Sequence, residues 1–180
     1  MPQLKSEGFT IEDIYQLPEG QRVELIDDVA YNMAPPGRIH QKLISNFTRI
    51  IGNYIENNRG DCEVYPAPFA VFVTADDKNY VEPDISVICD PLKLNEKGCY
   101  GAPDLIIEVV SESSRKMDYA TKMNLYSNAG VREYWIVDPQ KERTTVYRFE
   151  EDMAPIIVPF SQDLTAGIYK DLKIKVSELR

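Results

Sequence analysis

The hydrophobic positions of one segment in the first third of the chain follow a helical period. Apolar residues recur there at the i, i+1, i+4, i+7 and i+8 spacing of a single helical face, at Leu43, Ile44, Phe47, Ile50, Ile51, Tyr54 and Ile55. This spacing is typical of an amphipathic helix that buries one side. Because Gly60 follows as a usual stop signal, we predict a helix over about residues 39–58.

Two further helices are predicted, a short one near the start of the chain and a longer one in its second half. Thr10 is a suitable N-cap for a helix at residues 11–17. Residues 114–129 carry apolar residues on one helical face, and Gly130 follows as the C-terminal stop. The chain therefore has helical segments both before and after its most apolar region.

The strands are predicted from short apolar or alternating runs bounded by Gly, Pro and Asp. In chain order these are the hairpin 22–33, an interrupted strand at 62–74, the strands 82–90, 103–111 and 131–138, its hairpin partner 142–150, a short strand near 156–159 and a final segment at 171–180. Residues 91–102 lack such a pattern and are interpreted as a loop. We predict an α/β (α+β) fold in one domain over residues 1–180, with a mixed central sheet flanked by helices.

Glu108 is an acidic residue inside one of the most apolar strands. Side chains alternate across a sheet, so Glu108 shares one face of its strand with Ile106 and Val110. An ionised carboxylate left unpaired on such a face costs several kcal/mol, and it therefore requires a metal ion, an Arg or Lys, or a proton. A structural ion pair and a metal site are both open at this point.

Two other residues have chemistry that could converge on Glu108. Asp84 opens the preceding strand and is either a turn residue or, with Glu108, part of an oxygen site that suits a hard cation such as Mg²⁺. Lys122 lies on the apolar stripe of the second helix. It either pairs with Asp118 one turn earlier or extends its ammonium group into the pocket of Glu108, and the spacing does not decide between the two.

Glu24 and His40 are less specific candidates. Glu24 lies in the first predicted strand and needs a partner if its face points inward, but it is ordinary surface if that face points outward. His40 is the single histidine and begins the long helix three residues before Leu43. A lone histidine on an apolar face is more often a packing residue than a ligand.

Composition excludes several classes of protein. The chain has 180 residues with 29 acidic and 20 basic ones, a formal net charge of −9. No apolar run approaches the ~18–20 residues of a membrane span, and no secretory signal is visible, so we expect a cytoplasmic protein.

Three cysteines without a C-x-x-C pair argue against disulfides and a thiolate zinc site. The basic clusters at 115–116, 141–143 and 170–175 are small and are interpreted as solvated surface.

Several segments together resemble one protein family. They are RVELIDD at 22–28, the helix opened by His40, EPDISVICD at 82–90, APDLIIEVVSESSRKMDYATKMNLYSNAGVREYWIVDP at 102–139 and TVYRF at 145–149. Over roughly residues 10–170 the chain resembles the restriction endonucleases of the Uma-two group, which belong to the PD-(D/E)XK nuclease superfamily. The resemblance implies a core, at about residues 39–139, of a helix, a three-stranded antiparallel sheet, a second helix and another strand.

The resemblance also implies a catalytic site. The lysine of the superfamily's Glu-X-Lys element is replaced by Val110 in this chain, so Lys122 is expected to supply that ammonium group from the adjacent helix. Mg²⁺ or Mn²⁺ is expected to bind the two acids of the motif and the carbonyl of the X residue between Glu and Lys. The implied catalytic residues are Asp84, Glu108, Lys122, Glu24 and His40, and the implied metal ligands are Asp84, Glu108 and Val109.

The implied activity is metal-dependent hydrolysis of phosphodiester bonds, with DNA as the expected substrate and RNA or single strands as the alternative. The family resemblance also suggests a homodimer. A net charge of −9 argues against strong sequence-specific duplex binding, which depends on Lys and Arg neutralising phosphates. The other interpretation is an inactive descendant of the fold, in which Glu108, Lys122 and Asp118 form a buried ion-pair network and the domain acts by binding or self-association.

Overall fold

The helices and strands are taken from a computed structural model that describes residues 3–4, 8–76, 78–151 and 153–180. The helices are α1 (Ile11–Tyr15), α2 (Arg38–Asn57) and α3 (Met123–Ala129), and a π-helical turn, Met117–Lys122, runs directly into α3. The strands are β1 (Gln3–Leu4), β2 (Val23–Ile26), β3 (Val29–Asn32), β4 (Glu63–Pro66), β5 (Val71–Phe72), β6 (Ile85–Ile88), β7 (Leu94–Asn95), β8 (Gly98–Tyr100), β9 (Leu105–Val109), β10 (Glu133–Asp138), β11 (Arg143–Arg148), β12 (Ile156–Pro159), β13 (Asp163–Thr165) and β14 (Lys173–Lys175).

A mixed six-stranded sheet with the order β12-β11-β10-β9-β6-β4 organises the fold. β4, β6 and β9 are antiparallel neighbours, β10 lies parallel to β9, and β11 and β12 continue antiparallel. A parallel pair needs a crossover connection, which the π-helical turn and α3 provide between β9 and β10. The sequence prediction of an α/β (α+β) fold with a mixed sheet is confirmed.

α2 covers one face of this sheet. Its buried residues form a single apolar cluster with alternate residues of β9 and β10: Leu43, Ile44, Phe47, Ile51 and Ile55 pack with Leu105, Ile107, Val109, Trp135 and Val137. The helix begins and ends within one residue of the predicted bounds, because its hydrophobic period is a local property. No helix in the described part of the chain is long and apolar enough to cross a membrane.

α3 covers the opposite face of the sheet. Leu125 and Tyr126 pack there with Ile106 of β9 and with Val110, which directly follows that strand. Glu108 lies between those two residues and shares their face, as predicted from the alternation of the strand, and the structure shows that this is the face covered by α3. Gly130 has a φ of 88° and ends the helix in the left-handed conformation that glycine adopts easily.

The hairpin of β2 and β3 brings the first strand into the interior. Asp27 and Asp28 form its turn with φ angles of 49° and 61°, a conformation that Asp tolerates better than most residues. Leu25 then forms a β-bridge with Tyr80. All four residues of β2 are buried, and Glu24 is completely inaccessible to solvent.

Some predicted boundaries are wrong. The predicted strand 62–74 is two strands in different sheets, β4 and β5, and the predicted loop 91–102 contains a 3₁₀ turn at Pro91–Lys93 followed by β7 and β8. The pair β13–β14 also includes a strand that the pattern did not indicate. β5, β7, β8 and β13 contain only two or three residues each, too few for an alternation of apolar and polar positions to be recognised.

The expectation that the cysteines are unpaired is also wrong. Cys62 and Cys89 form a disulfide across 27 residues of sequence, with their Cα atoms 3.9 Å apart. The antiparallel register of β4 and β6 pairs Glu63 with Ile88, so the two cysteines come next along neighbouring strands. The number and spacing of cysteines in the sequence do not predict which residues of two strands are paired, so this disulfide could not be predicted from them. Cys99 is free and buried.

Candidate active site

Lys122 is buried between two carboxylates. Its ammonium group donates hydrogen bonds of 2.8 Å to Oε1 of Glu24 and 2.8 Å to Oε1 of Glu108. The lysine is 2% exposed, so these two acids replace the water that would otherwise solvate the charge. The structure thus places Glu24 on the inward side, and the partners of Lys122 are the two strand residues rather than Asp118.

Glu108 has hydrogen-bond partners at both carboxylate oxygens. Oε1 accepts from Lys122 and from the hydroxyl of Tyr126, the latter at 2.9 Å. Oε2 faces the backbone N–H of Asp84 at 3.4 Å. Tyr126 is a contact of the candidate site that the sequence analysis did not name, although its position four residues after Lys122 places it on the same side of the helix.

Asp84 precedes β6 and is tied to the end of β9. Its Oδ2 accepts a 2.7 Å hydrogen bond from the backbone N–H of Val109, and its own N–H points to Glu108. His40 completes this contact, with Nε2 3.1 Å from Oδ2 of Asp84. The antiparallel register of β6 and β9 therefore brings the two predicted metal-binding acids together.

The local charges change how these groups titrate. Burial lowers the pKa of Lys122, but the carboxylates of Glu108, Glu24 and Asp118 outweigh burial and raise this pKa well above its usual value. Burial raises the pKa of Glu108, and the attraction of Lys122 only partly opposes this effect. Burial also raises the pKa of Asp118 to about 6. Lys122 is therefore a firmly charged ammonium group in an acidic environment.

His40 is affected by the same acids. Burial lowers the pKa of its imidazole, but the hydrogen bond and negative charge of Asp84, together with a backbone hydrogen bond to Val109, produce a net increase. The histidine is thus in direct contact with Asp84, one of the three groups predicted as metal ligands. The sequence placed it at the start of α2, and the fold directs it to the end of β9.

These residues line a cavity of about 430 Å³. Five of the six predicted site residues are at its surface: Asp84, Glu108, Val109, Lys122 and His40. Glu24 lies behind Lys122 and reaches the cavity only through that ammonium group. Asp118, Arg22 and Arg38 also line the cavity, so it contains groups of both charges.

The donor set suits a hard cation in part. Asp84, Glu108 and the backbone carbonyl of Val109 offer oxygen atoms, the donor type that Mg²⁺ prefers. Within the described residues, no group of three or more His, Cys, Asp and Glu side chains is placed to hold a metal ion. Two carboxylates and a carbonyl are nevertheless compatible with Mg²⁺, which commonly keeps several waters and uses only one or two carboxylates.

Comparison with known proteins identifies the family. The family model described as "Uma2: Putative restriction endonuclease" matches residues 11–169, which is nearly the whole chain. The chain belongs to the Uma2 family. The sequence resemblance is thereby confirmed.

Two similar proteins extend the comparison. The uncharacterized protein slr1290 of Synechocystis sp. (strain ATCC 27184 / PCC 6803 / Kazusa) is 27% identical over 144 residues, covering 78% of this chain and 74% of that protein. A crystal structure from Anabaena variabilis ATCC 29413, described as "a putative nuclease belonging to DUF820", has a TM-score of 0.76 at 18% identity and covers 95% of this chain and 97% of that one. The Uma2 chain therefore shares its fold with that structure over almost its full length.

Proposed function

We propose that this Uma2 protein is a Mg²⁺- or Mn²⁺-dependent endonuclease that hydrolyses phosphodiester bonds of DNA. The observation that supports this most directly is the mutual contact of Asp84 and Glu108 at the cavity, with the ammonium group of Lys122 bound to Glu108. Two acids and an amine around one cleft are the groups needed to bind a metal ion and to position a water molecule.

Asp84 and Glu108, with the carbonyl of Val109, would hold the metal ion. The bound metal supplies a more acidic water and offsets negative charge on the scissile phosphate. Oε1 of Glu108 is already shared by Lys122 and Tyr126, so its Oε2 is the oxygen left for the metal. Oδ1 of Asp84 accepts no hydrogen bond from the described residues, and the Asp84 side chain is 13% exposed.

Lys122 takes the role of the lysine that is absent from the strand. Val110 occupies the strand position, and its side chain packs in the apolar cluster on the α3 face. Lys122 reaches the same face from the π-helical turn and keeps its proton because of Glu24 and Glu108. The ammonium group orients the attacking water, while Glu24 holds the ammonium in place from behind and His40 adjusts the charge of Asp84.

One observation favours an alternative, a catalytically inactive fold that acts as a binding or self-association module. Lys122 and Glu108 form a buried ion pair, so a cation of the protein itself already opposes the charge of this acid. Such a buried network can be structural, since it fixes β2, β9 and the helix relative to one another. The alternative predicts a stable fold with no metal affinity at this site.

Nuclease assays with matched variants test the proposal. Plasmid DNA, single-stranded DNA and RNA are incubated with the protein in Mg²⁺, in Mn²⁺ and in a chelator, and metal binding is followed by calorimetry. Asp84→Asn and Glu108→Gln should reduce cleavage by at least ~100-fold and abolish metal binding, whereas Asp171→Asn, an exposed acid outside the cavity, should behave as the wild type. Cleavage by Asp84→Asn at the wild-type rate would refute the site.

A further inference from the structure

A second cavity, of about 550 Å³, borders the candidate active site. Ser111, Ser113 and Ser114 line the first cavity, while Glu112, Arg115 and Lys116 line the second, so the segment 111–116 is a wall of both. We call the second cavity the basic groove and define it by its basic and aromatic lining residues: Arg115, Lys116, Tyr119, Lys141 and Arg143.

The fold assembles the basic groove from two clusters that are distant in sequence. Arg115 and Lys116 begin the crossover after β9, while Lys141 and Arg143 lie at the turn between β10 and β11. β9 and β10 are adjacent parallel strands, so the segments that follow their C-terminal ends meet. The sequence analysis interpreted each cluster separately as solvated surface and did not predict that the two lie together.

Acidic neighbours neutralise only part of the groove. Glu142, which separates Lys141 from Arg143 in the sequence, forms an ion pair with Arg180 instead. Arg115 is bound by Asp138 through both terminal nitrogens. Across the residues that the structure describes, no ion pair joins Lys116, Lys141 or Arg143 to an acidic side chain, and Lys116 and Lys141 are exposed.

We propose that the basic groove binds the phosphate backbone of a nucleic-acid strand beside the bond that is cut. The inference rests on the proposed nuclease function and names the part of the chain that holds the substrate. Uncompensated Lys and Arg side chains next to a catalytic cleft attract phosphates, and this local attraction can act in a protein whose net charge is negative. The groove therefore gives an acidic chain a specific surface for a polyanion.

Tyr119 adds a feature that favours nucleic acid over other polyanions. Tyr119 lines the groove among the cations and is partly buried against the apolar cluster on the α3 face, and its hydroxyl is buried without a hydrogen-bond partner in the described part of the chain. Proteins that bind single strands commonly combine positive charge along the backbone path with aromatic rings that stack on bases. An acidic peptide or a heparin-like sugar would use the charges but not the ring.

Binding measurements on a paired set of variants test this inference. Fluorescence anisotropy of labelled single-stranded DNA, duplex DNA and RNA is measured in a chelator, so that no cleavage occurs, over a range of salt concentrations. We expect K116Q/K141Q to weaken binding at least about tenfold at low salt and to reduce the slope of log K against log salt by about 1.5. The control K170Q/K173Q removes the same charge from exposed positions outside the groove and should leave both quantities unchanged.

The outcomes separate this inference from the proposed function. If K116Q/K141Q binds every probe as the wild type does, the inference is overturned even if the protein is an active nuclease. If no metal supports cleavage but the groove variant alone loses affinity, the inference stands and the nuclease proposal fails. Tyr119→Leu should reduce the affinity for single strands more than it reduces the affinity for polyglutamate, which is measured by competition. If polyglutamate displaces all probes equally well, the assignment to nucleic acid is overturned.

Discussion

The ammonium group of Lys122 lies 2.8 Å from a carboxylate oxygen of Glu108, although one residue belongs to a helical turn and the other to the central sheet. Fourteen residues separate them in the chain, and the strand position expected for the lysine holds Val110. The contact shows that a charged amine can reach the acid from a different backbone element. The same contact makes the site and the stability of the fold interdependent.

Lys122→Met is expected to destabilise the protein strongly. The substitution leaves Glu24 and Glu108 buried without their shared cation, and breaking a buried pair in this way costs about 3–5 kcal/mol. Urea denaturation followed by circular dichroism measures the free energy of unfolding. Adding Glu24→Gln and Glu108→Gln to the same chain should recover part of the loss, and a single variant within about 1 kcal/mol of the wild type would contradict this prediction.

Tyr126→Phe is expected to weaken both stability and activity. The change removes only the hydroxyl that donates to Glu108 at 2.9 Å, and a hydrogen bond to a charged group contributes about 1.5–3 kcal/mol. Tyr147→Phe is the matched control because no hydrogen bond to its hydroxyl is found in the described residues. Equal free energies of unfolding for the two variants would show that the Tyr126 contact contributes nothing.

Asp138 is expected to make stability depend on pH in the acid range. Burial raises the pKa of this carboxyl, but the hydrogen bond and charge of Arg115 and the backbone N–H groups of Lys141 and Gln140 produce a net decrease. A carboxyl whose pKa is lower in the folded state stabilises the protein above the unfolded pKa, about 3.9, and this stabilisation disappears as pH falls through the folded pKa.

Asp138→Asn tests this directly. Its loss of unfolding free energy relative to the wild type should be about 1–3 kcal/mol at neutral pH and at pH 5, and it should shrink progressively below about pH 4. Urea denaturation at a series of pH values provides the measurement. A difference that stays constant down to acid unfolding would indicate that the Asp138 charge has no role.

Cys62 and Cys89 are expected to be protected from thiol reagents in the oxidised protein. Under denaturing, non-reducing conditions only Cys99 should react, and all three cysteines of the sequence should react after reduction. Closure of a loop of this length contributes about 3 kcal/mol in the chain-entropy description. Cys62→Ser/Cys89→Ser should lose about that much stability and should not respond to reductant, whereas Cys99→Ala keeps the disulfide and should lose stability on reduction as the wild type does.

The sequence predicted those features that depend on local periodicity. The apolar period of α2 and the alternation of β9 are properties of consecutive residues, so the bounds of the helix and the direction of Glu108 could be predicted without coordinates. Asp84, Lys122 and His40 were named from charge in an apolar context and from family resemblance. The structure brings them to one cavity, but their catalytic roles remain predictions.

The features that sequence reasoning missed depend on register between distant segments. The inward direction of Glu24 is set by the bridge from β2 to Tyr80, and the disulfide is set by the pairing of β4 with β6. Likewise, the meeting of Arg115 with Lys141 requires β9 and β10 to be neighbours. Each of these features depends on how distant segments of the chain pair, and the pattern of consecutive residues does not predict that pairing.

The π-helical turn at Met117–Lys122 changes the direction in which side chains before α3 point, relative to those of α3 itself. Lys122 ends this turn and Tyr126 follows it at the ordinary four-residue spacing of α3, so both donate to the same carboxylate. In an α-helix, Asp118 would lie one turn before Lys122 on the same side. The wider π turn moves Asp118 away from that position, and Asp118 lines the cavity. The wider i→i+5 spacing of this turn therefore leaves the amine of Lys122 to Glu24 and Glu108.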